Sequence, residues 1–396
     1  MRPASNERAP VLLLGGQENA LSIIRSLTRN GVPVALSARR SCWALRSRHC
    51  AARYVIPDRV GSAEFWGDLL LGGSHPELEG SVVFACSDPA IEFMATRREA
   101  LSRRYLLDDH IGDQQLALLD KQATLELAQG LGVPTPKLWA LDKPEDIDAF
   151  EDEVDFPAII KPVHSHRFQA VYGKKLLVVG SAADLRAGVR DALGHDLEIT
   201  VCELIPGPDS LLSSYYTYID HEENHLFHFT KRVIRRSPPN FGAGTYHRTE
   251  WVPETADLGR RFFRGMGLRG LGNIEFKTDP RDGQLKVIEC NARFTAAQEL
   301  LVKAGMDISW IIYRHVTGEA LTPAPEFTEH LRLWYPLDDF DSFRDLRADG
   351  VLSFPGWLKS VMRPQVFPYF SGSDPAPAFV KGWNTFKTRV LGRGGS

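Results

Sequence analysis

Four polar residues in one short stretch could hold a metal ion and an anion together. Leu268 to Phe294 reads "LRGLGNIEFKTDPRDGQLKVIECNARF": an apolar run carrying Glu275, a polar "TDPRDG", and a second apolar run ending in Glu289, Asn291 and Arg293. The polar centre predicts the turn of a β-hairpin. On the second strand Glu289, Asn291 and Arg293 are two apart and share a face. A register that sets Glu275 opposite them brings two carboxylates and an amide oxygen to one spot. Such an all-oxygen set suits Mg²⁺, with Mn²⁺ as the alternative, bridging substrate phosphates. Arg293 beside it would hold an anion. The competing reading is a surface hairpin with ordinary charge alternation.

Other segments carry charges where a cleft would use them. Lys161 ends the apolar run "FPAIIKP", where a lysine either emerges into a cleft or meets an anion, or else snorkels at a sheet edge. Glu203 and Leu204 leave a strand at "EITVCELIPGPD" and could present backbone groups and a carboxylate to an adenine edge. In "FTKRVIRRSPPNFGAGTYHRTE" a strand-like run is followed by a Gly/Pro-rich stretch, read as a substrate lid. There Arg235, Tyr246 and His247 could orient a carboxylate. A solvated charged turn is the alternative. The histidines of "DHEENHLFHF" lack a local metal-ligand spacing and read as solvent and core contacts.

These side chains need a frame, and the sequence supplies one. "VLLLGG" followed by "QENALSIIRSLTRNG" predicts a strand, a close turn and an amphipathic helix stopping at Gly31, and "VPVALSA" and "SVVFACSD" predict further strands. Continuous apolar strands alternating with helices imply a small open parallel sheet. Gly15 and Gly16 would turn the chain towards a phosphate, or serve packing only. Asp88 would reach a ligand cleft or cap a helix. From Gly112 a helix "DQQLALLDKQATLELAQGLG" carries Lys121 in its middle. After "LTPAP", Leu331, Leu333, Trp334 and Tyr335 suggest an extended segment returning to a sheet.

Composition narrows the function classes. The 396 residues allow two or three domains, and a formal net charge of -3 without a basic block argues against a nucleic-acid partner. Five irregularly spaced cysteines fit reduced thiols better than a disulfide framework or a zinc site. With no apolar leader in "MRPASNERAP" and no run of eighteen apolar residues, the expectation is a cytoplasmic protein without a membrane partner.

Lys161, Glu203, Glu275, Glu289, Asn291 and Arg293, in this order and separation, resemble the ATP-grasp superfamily, particularly its carboxylate-amine ligases such as D-aspartate ligase and amino-acid ligases. The resemblance runs from about Val11 to Ala320. It implies an α/β and α+β fold: an N-terminal open parallel-sheet domain (1–112), two nucleotide-clasping lobes (113–202 and 203–325) and a C-terminal appendage (326–396). It implies ATP, with Lys121, Lys161 and a further contact from Lys174 or Lys175 on its phosphates, and Glu203 and Leu204 at the hinge beside adenine. Glu275, Glu289 and Asn291 would ligate Mg²⁺, Lys231 would be a third phosphate-directed lysine, and Arg293 would steady an acyl phosphate or the intermediate of its attack. The implied partners are a small carboxylic acid and an amine, amino acids among the options, and a homodimer is open. The implied activity is amide formation through an acyl phosphate, releasing ADP and phosphate. A small-molecule kinase, a carboxylate-thiol ligase or a non-catalytic nucleotide-binding protein are the alternatives on the same scaffold.

Two departures stand out. The glycine-rich phosphate loop expected after the strand lysine is replaced by "KPVHSHRFQAVYGKK", where His164, Ser165 and His166 would contact phosphate or substrate or simply be exposed. Asn273 stands where some relatives carry arginine.

Overall fold

The computed structural model describes residues 8–162, 168, 171–174, 176–322 and 326–391. Three sheets organise them. The first holds β1 (Val11–Leu14), β2 (Val34–Arg39), β3 (Cys50–Ile56) and β4 (Val82–Ala85), all parallel, in the order β3-β2-β1-β4. Every residue of β1 and β4 is buried, as an apolar strand covered on both faces requires. The helix Glu18–Arg29 follows a turn in which Gly15 and Gly16 have φ of +73° and +89°. A Cβ on Gly15 would lie 2.2 Å from Ser87 Oγ, so this glycine lets the ends of β1 and β4 approach. Packing explains the pair.

The second sheet comprises β5 (Leu138–Ala140), β6 (Ala158–Pro162), β7 (Leu177–Val179) and β8 (Ile199–Glu203), antiparallel in the order β5-β8-β6-β7. The helix Ala182–Gly194 packs against it. The third is antiparallel: β9 (Leu212–Ile219), β10 (His225–Ser237), β11 (Ala243–Thr249), β12 (Gly270–Thr278), β13 (Leu285–Asn291) and β14 (Arg332–Trp334), ordered β13-β12-β9-β10-β11-β14. Two apolar cores each combine residues of the first and third sheets: Leu13, Phe84, Tyr216 and Phe229 in one, Leu14, Val83, Tyr215 and Phe276 in the other. The small second sheet keeps a core of its own, built from residues such as Ile160, Phe168, Leu185 and Val201.

Two expectations change, and a third, the extended segment returning to a sheet after "LTPAP", is met. The stretch from Gly112 forms two helices, Gly112–Leu119 and Lys121–Gly130, because the Asp120 side chain accepts from the backbone N–H groups of Gln122 and Ala123 and starts a new helix. Lys121 is therefore the first residue of a helix. The stretch read as a lid is mostly strand, with only residues 238–242 between β10 and β11. The segment after residue 325 contributes β14 to the third sheet, pairing with β11. Its helix Pro336–Ala348 packs on β10 and β11, and its helix Ala376–Leu391 lies against the turn Trp43–Arg46. Asp374 accepts hydrogen bonds from Arg25 Nε, Ser47 Oγ and the backbone N–H of Arg48, tying this segment to the first domain. No helix among the described residues is long and apolar enough to cross a membrane.

Candidate active site

The β12–β13 turn spans Asp279 to Gln284, and the register sets Glu275 opposite Glu289 and Asn273 opposite Asn291. The row continues across the sheet, with Glu275 opposite Ser214 on β9 and Ser214 opposite Lys231 on β10. Lys231, Ser214, Glu275 and Glu289 thus form one line over four strands. Lys231 is buried; its Nζ donates to Ser214 Oγ at 2.9 Å and stands 3.7 Å from Glu275 Oε1, while Ser214 Oγ donates to the same oxygen at 3.2 Å. Burial pulls the Lys231 pKa down, and the Glu275 charge opposes that. Asn291 Nδ2 donates to Asn273 Oδ1 at 3.4 Å, leaving its own oxygen for a ligand.

A cleft of about 660 Å³ runs over this face. Lys161, Leu176, Glu203 and Leu204 line it on the side of the second sheet; Lys231, Glu275, Glu289, Asn291 and Arg293 line it on the side of the third, with Lys121 at the edge. Lys121 Nζ is 3.6 Å from Glu289 Oε1. Neither Lys121 nor Lys231 is within hydrogen-bond distance of its acidic neighbour, so Glu275 and Glu289 keep lone pairs for a cation. Two facing carboxylates with an amide oxygen beside them fit the hard-oxygen preference of Mg²⁺. Arg293 reaches across from the end of β13 to the first domain, where its Nε donates to Asp88 Oδ1 at 2.5 Å. Asp88 opens the helix Asp88–Thr96, with Ser87 at the N-cap position, and its carboxylate meets this arginine.

Several expected site residues are used otherwise. Arg235 is buried away from the cleft, its Nε and Nη2 donating to the two oxygens of Asp339 at 2.7 and 2.8 Å and its Nη1 to Ser360 Oγ at 2.9 Å. Register shifts between Val233 and Arg235 and between Arg235 and Arg236 break the alternation of β10, and Arg236 lines the cleft instead. Tyr246 lies under Arg235, the guanidinium 4.4 Å from its ring centre, and its hydroxyl donates to the carbonyl of Ser360 at 2.5 Å. His247, the next residue on β11, points to the opposite face and lines the cleft. Burial and the nearby Lys231 hold its pKa well below the usual histidine range, so this imidazole is neutral.

The Glu203 carboxylate, at the cleft wall, is already engaged by protein groups. It accepts from the backbone N–H of Lys137 at 3.0 Å and from Arg281, with Lys286 Nζ 3.8 Å away. Leu204, the next residue, also lines the cleft. Lys174 is exposed and does not line the cleft; the turn at Gly173, with φ of +65°, precedes it. His164, Ser165, His166 and Lys175 lie outside the described residues.

Further residues line the cleft or bond to its lining. Ser214 bridges Lys231 and Glu275, and its polar place in "LSSYYTYI" was the available signal. Glu18, at the start of the first helix, and Asp338, Tyr369 and Lys381 of the C-terminal segment close the far end of the cleft. Lys381 Nζ lies 3.9 Å from Asp338 Oδ2. No local pattern announces these last three.

A nucleotide-sized cleft between a small antiparallel lobe and a large one, with an N-terminal parallel sheet behind, defines the class: this is the ATP-grasp fold. Biotin carboxylase from Campylobacter jejuni superposes with a TM-score of 0.64 at 15% identity, over 82% of this chain and 74% of that one. N5-carboxyaminoimidazole synthetase from Staphylococcus aureus, solved with ADP, gives 0.63 at 15% identity over 87% and 86%. By sequence the chain is similar to D-aspartate ligase from Enterococcus faecium, 24% identical over 351 residues that span 82% of this chain and 80% of the relative. It is also 24% identical to D-alanine–D-alanine ligase of Pseudomonas entomophila over 212 residues, 49% of this chain and 62% of that protein. No protein-family model matches.

Proposed function

We propose that the protein is an ATP-dependent carboxylate-amine ligase, forming an amide through an acyl phosphate and releasing ADP and phosphate. The observation that carries this reading is the line Lys231–Ser214–Glu275–Glu289, with Asn291 and Arg293 beside it, facing Lys161 across one cleft. The similarity to D-aspartate ligase over most of both chains supports it.

A carboxylate is a poor electrophile because it must expel oxide, so phosphorylation first supplies a leaving group. Phosphoryl transfer requires cations aimed at the equatorial oxygens and an in-line approach. Glu275, Glu289 and Asn291 would hold Mg²⁺, which when bound neutralises charge on the nucleotide phosphates. Lys161 from the small lobe and Lys231 from the large one would clasp those phosphates, with Lys121 at the entrance. Leu204 would sit beside the adenine, whose exposed edge backbone groups can read. Arg293 would leave Asp88 to meet the developing charge on the acyl oxygens. No protein nucleophile is needed, since an amine attacks the acyl phosphate directly.

The test is a matrix of carboxylates and amines with Mg-ATP, read by nucleotide product and by product mass. The expected hit is an amide of the summed substrate masses minus water, with ADP and phosphate in equal amounts. AMP, a thioester or a stable phosphate ester would overturn the reading, and ATP binding without turnover on any pair would point to a non-catalytic protein.

A further inference from the structure

Away from the cleft, three side chains with metal-binding atoms converge from segments far apart in sequence. Asp109 precedes the helix Gly112–Leu119, His221 sits in the turn between β9 and β10, and His315 is in the last turn of the helix Ile308–Val316. Their donor atoms all lie within 4.8 Å of one another. His315 Nε2 is 2.6 Å from Asp109 Oδ2, and His221 Nδ1 is 4.0 Å from the same oxygen.

We propose that Asp109, His221 and His315 bind a divalent transition-metal ion of the zinc class. Two imidazoles and a carboxylate are the donors that zinc, cobalt and nickel favour, whereas Mg²⁺ and Ca²⁺ take oxygen. The hairpin acids of the cleft are the oxygen set, so the two sites select different ions. From Ser214 to Ile219 β9 advances five residue steps, about 17 Å, which sets the turn carrying His221 well away from the cleft acids.

Two of the three ligands are held in advance. The backbone N–H of Asp109 donates to the Tyr218 hydroxyl at 2.9 Å, and the Tyr218 ring meets His315 edge-on with centres 5.5 Å apart. The carbonyl end of the helix also favours a cation at His315. His221 completes the set from the solvent side: its side chain is 71% exposed, and its ring centre lies 6.2 Å from that of His315. Asp220 is not a competitor, because its oxygens accept from the backbone N–H groups of Glu222 and Asn224 and from Asn224 Nδ2. Three protein ligands leave room for water in the remaining positions. Bound metal would join the N-terminal domain's exit, the β9–β10 hairpin and a helix of the large lobe, and so raise stability in proportion to occupancy.

The full chain, free of affinity tag and stripped of metal, is titrated with Zn²⁺ while thermal unfolding is followed, and with Co²⁺ while visible absorption is recorded. The expected result is one tight equivalent of Zn²⁺, a raised Tm, and intense cobalt bands of four or five coordination. His221→Ala, at an exposed turn position, should weaken binding at least about tenfold and abolish those bands without changing Mg-ATP turnover. Asp109→Asn should behave alike if it folds, and His221→Ala decides the matter if it does not. Absence of Zn²⁺ binding at micromolar concentration, or a Tm shift and cobalt spectrum unchanged in His221→Ala, would overturn the site. So would weak octahedral bands lost only in Glu289→Gln, which would place the ion on the hairpin acids.

Discussion

Two groups of charges on the large sheet differ in how completely each charge is matched. Along the cleft, Lys231, Glu275, Glu289 and Lys121 stand 3.6 to 3.7 Å from their opposite charges, close enough to attract and too far to hydrogen-bond. On the other face, Arg235 grips both oxygens of Asp339, which also accepts from the indole N–H groups of Trp334 and Trp357 at 2.9 Å. The second group is closed; the first has bonding capacity left over. A substrate can only be held by groups the fold has left unfinished, so under the proposed function Arg235 would serve stability and Lys231 chemistry.

Breaking the closed group should have the largest effect. Arg235→Ala leaves the Asp339 carboxylate buried without its cation and should lower stability by about 3–5 kcal/mol in urea unfolding. Unchanged stability with impaired turnover would reverse the assignment. Lys231→Met should do the opposite, cutting ATP turnover by roughly 10²–10³-fold. Its unfolding midpoint should fall less than that of Arg235→Ala, because the partly exposed Glu275 keeps the Ser214 hydroxyl as donor. Loss of stability without loss of turnover would place Lys231 among the closed charges. Glu289→Gln should weaken Mg²⁺ dependence by about 10–100-fold, with turnover partly recovered at high Mg²⁺. Wild-type Mg-ATP kinetics in that variant would remove Glu289 from the metal set.

The smallest effect is a pH dependence of a second closed group. Hydrogen bonds from Arg281, and then from Lys286, hold the Asp279 carboxyl well below the usual carboxylate range against the opposing effect of burial. A depressed folded pKa means that this stabilisation is complete above about pH 4 and drains away as pH falls. Asp279→Asn should therefore flatten the fall of Tm between about pH 4 and pH 2 relative to wild type. An identical acid limb in the two proteins would show that the Asp279 contacts make no difference there.

What the sequence could say follows the range over which each feature is determined. The β12–β13 hairpin and its facing carboxylates were legible because alternation and a polar turn are local, and the strands of the parallel sheet because β1 and β4 are apolar throughout. Arg235 and Arg236 were not separable, since two bulges in β10 decide which one turns to the cleft. The break at Asp120 depends on a capping contact that outweighs an otherwise continuous helical stripe. Asp338, Tyr369 and Lys381 enter the cleft only through packing of the last segment on the first domain. His221 of "DHEENHLFHF" comes together with Asp109 and His315, which no local spacing could reveal.

The small sheet has a buried core of its own and meets the shared core of the other two sheets through Leu138 of β5, while Asp374 fastens the C-terminal segment to Arg25, Ser47 and Arg48. Mechanically, the chain is an anvil and a hammer. The anvil carries the acids, Lys231 and Arg293, and any shear within it would open a core that two domains have in common. The hammer carries Lys161 and has a core of its own, so under the proposed function a change in its position would leave the packing that aligns the acids untouched.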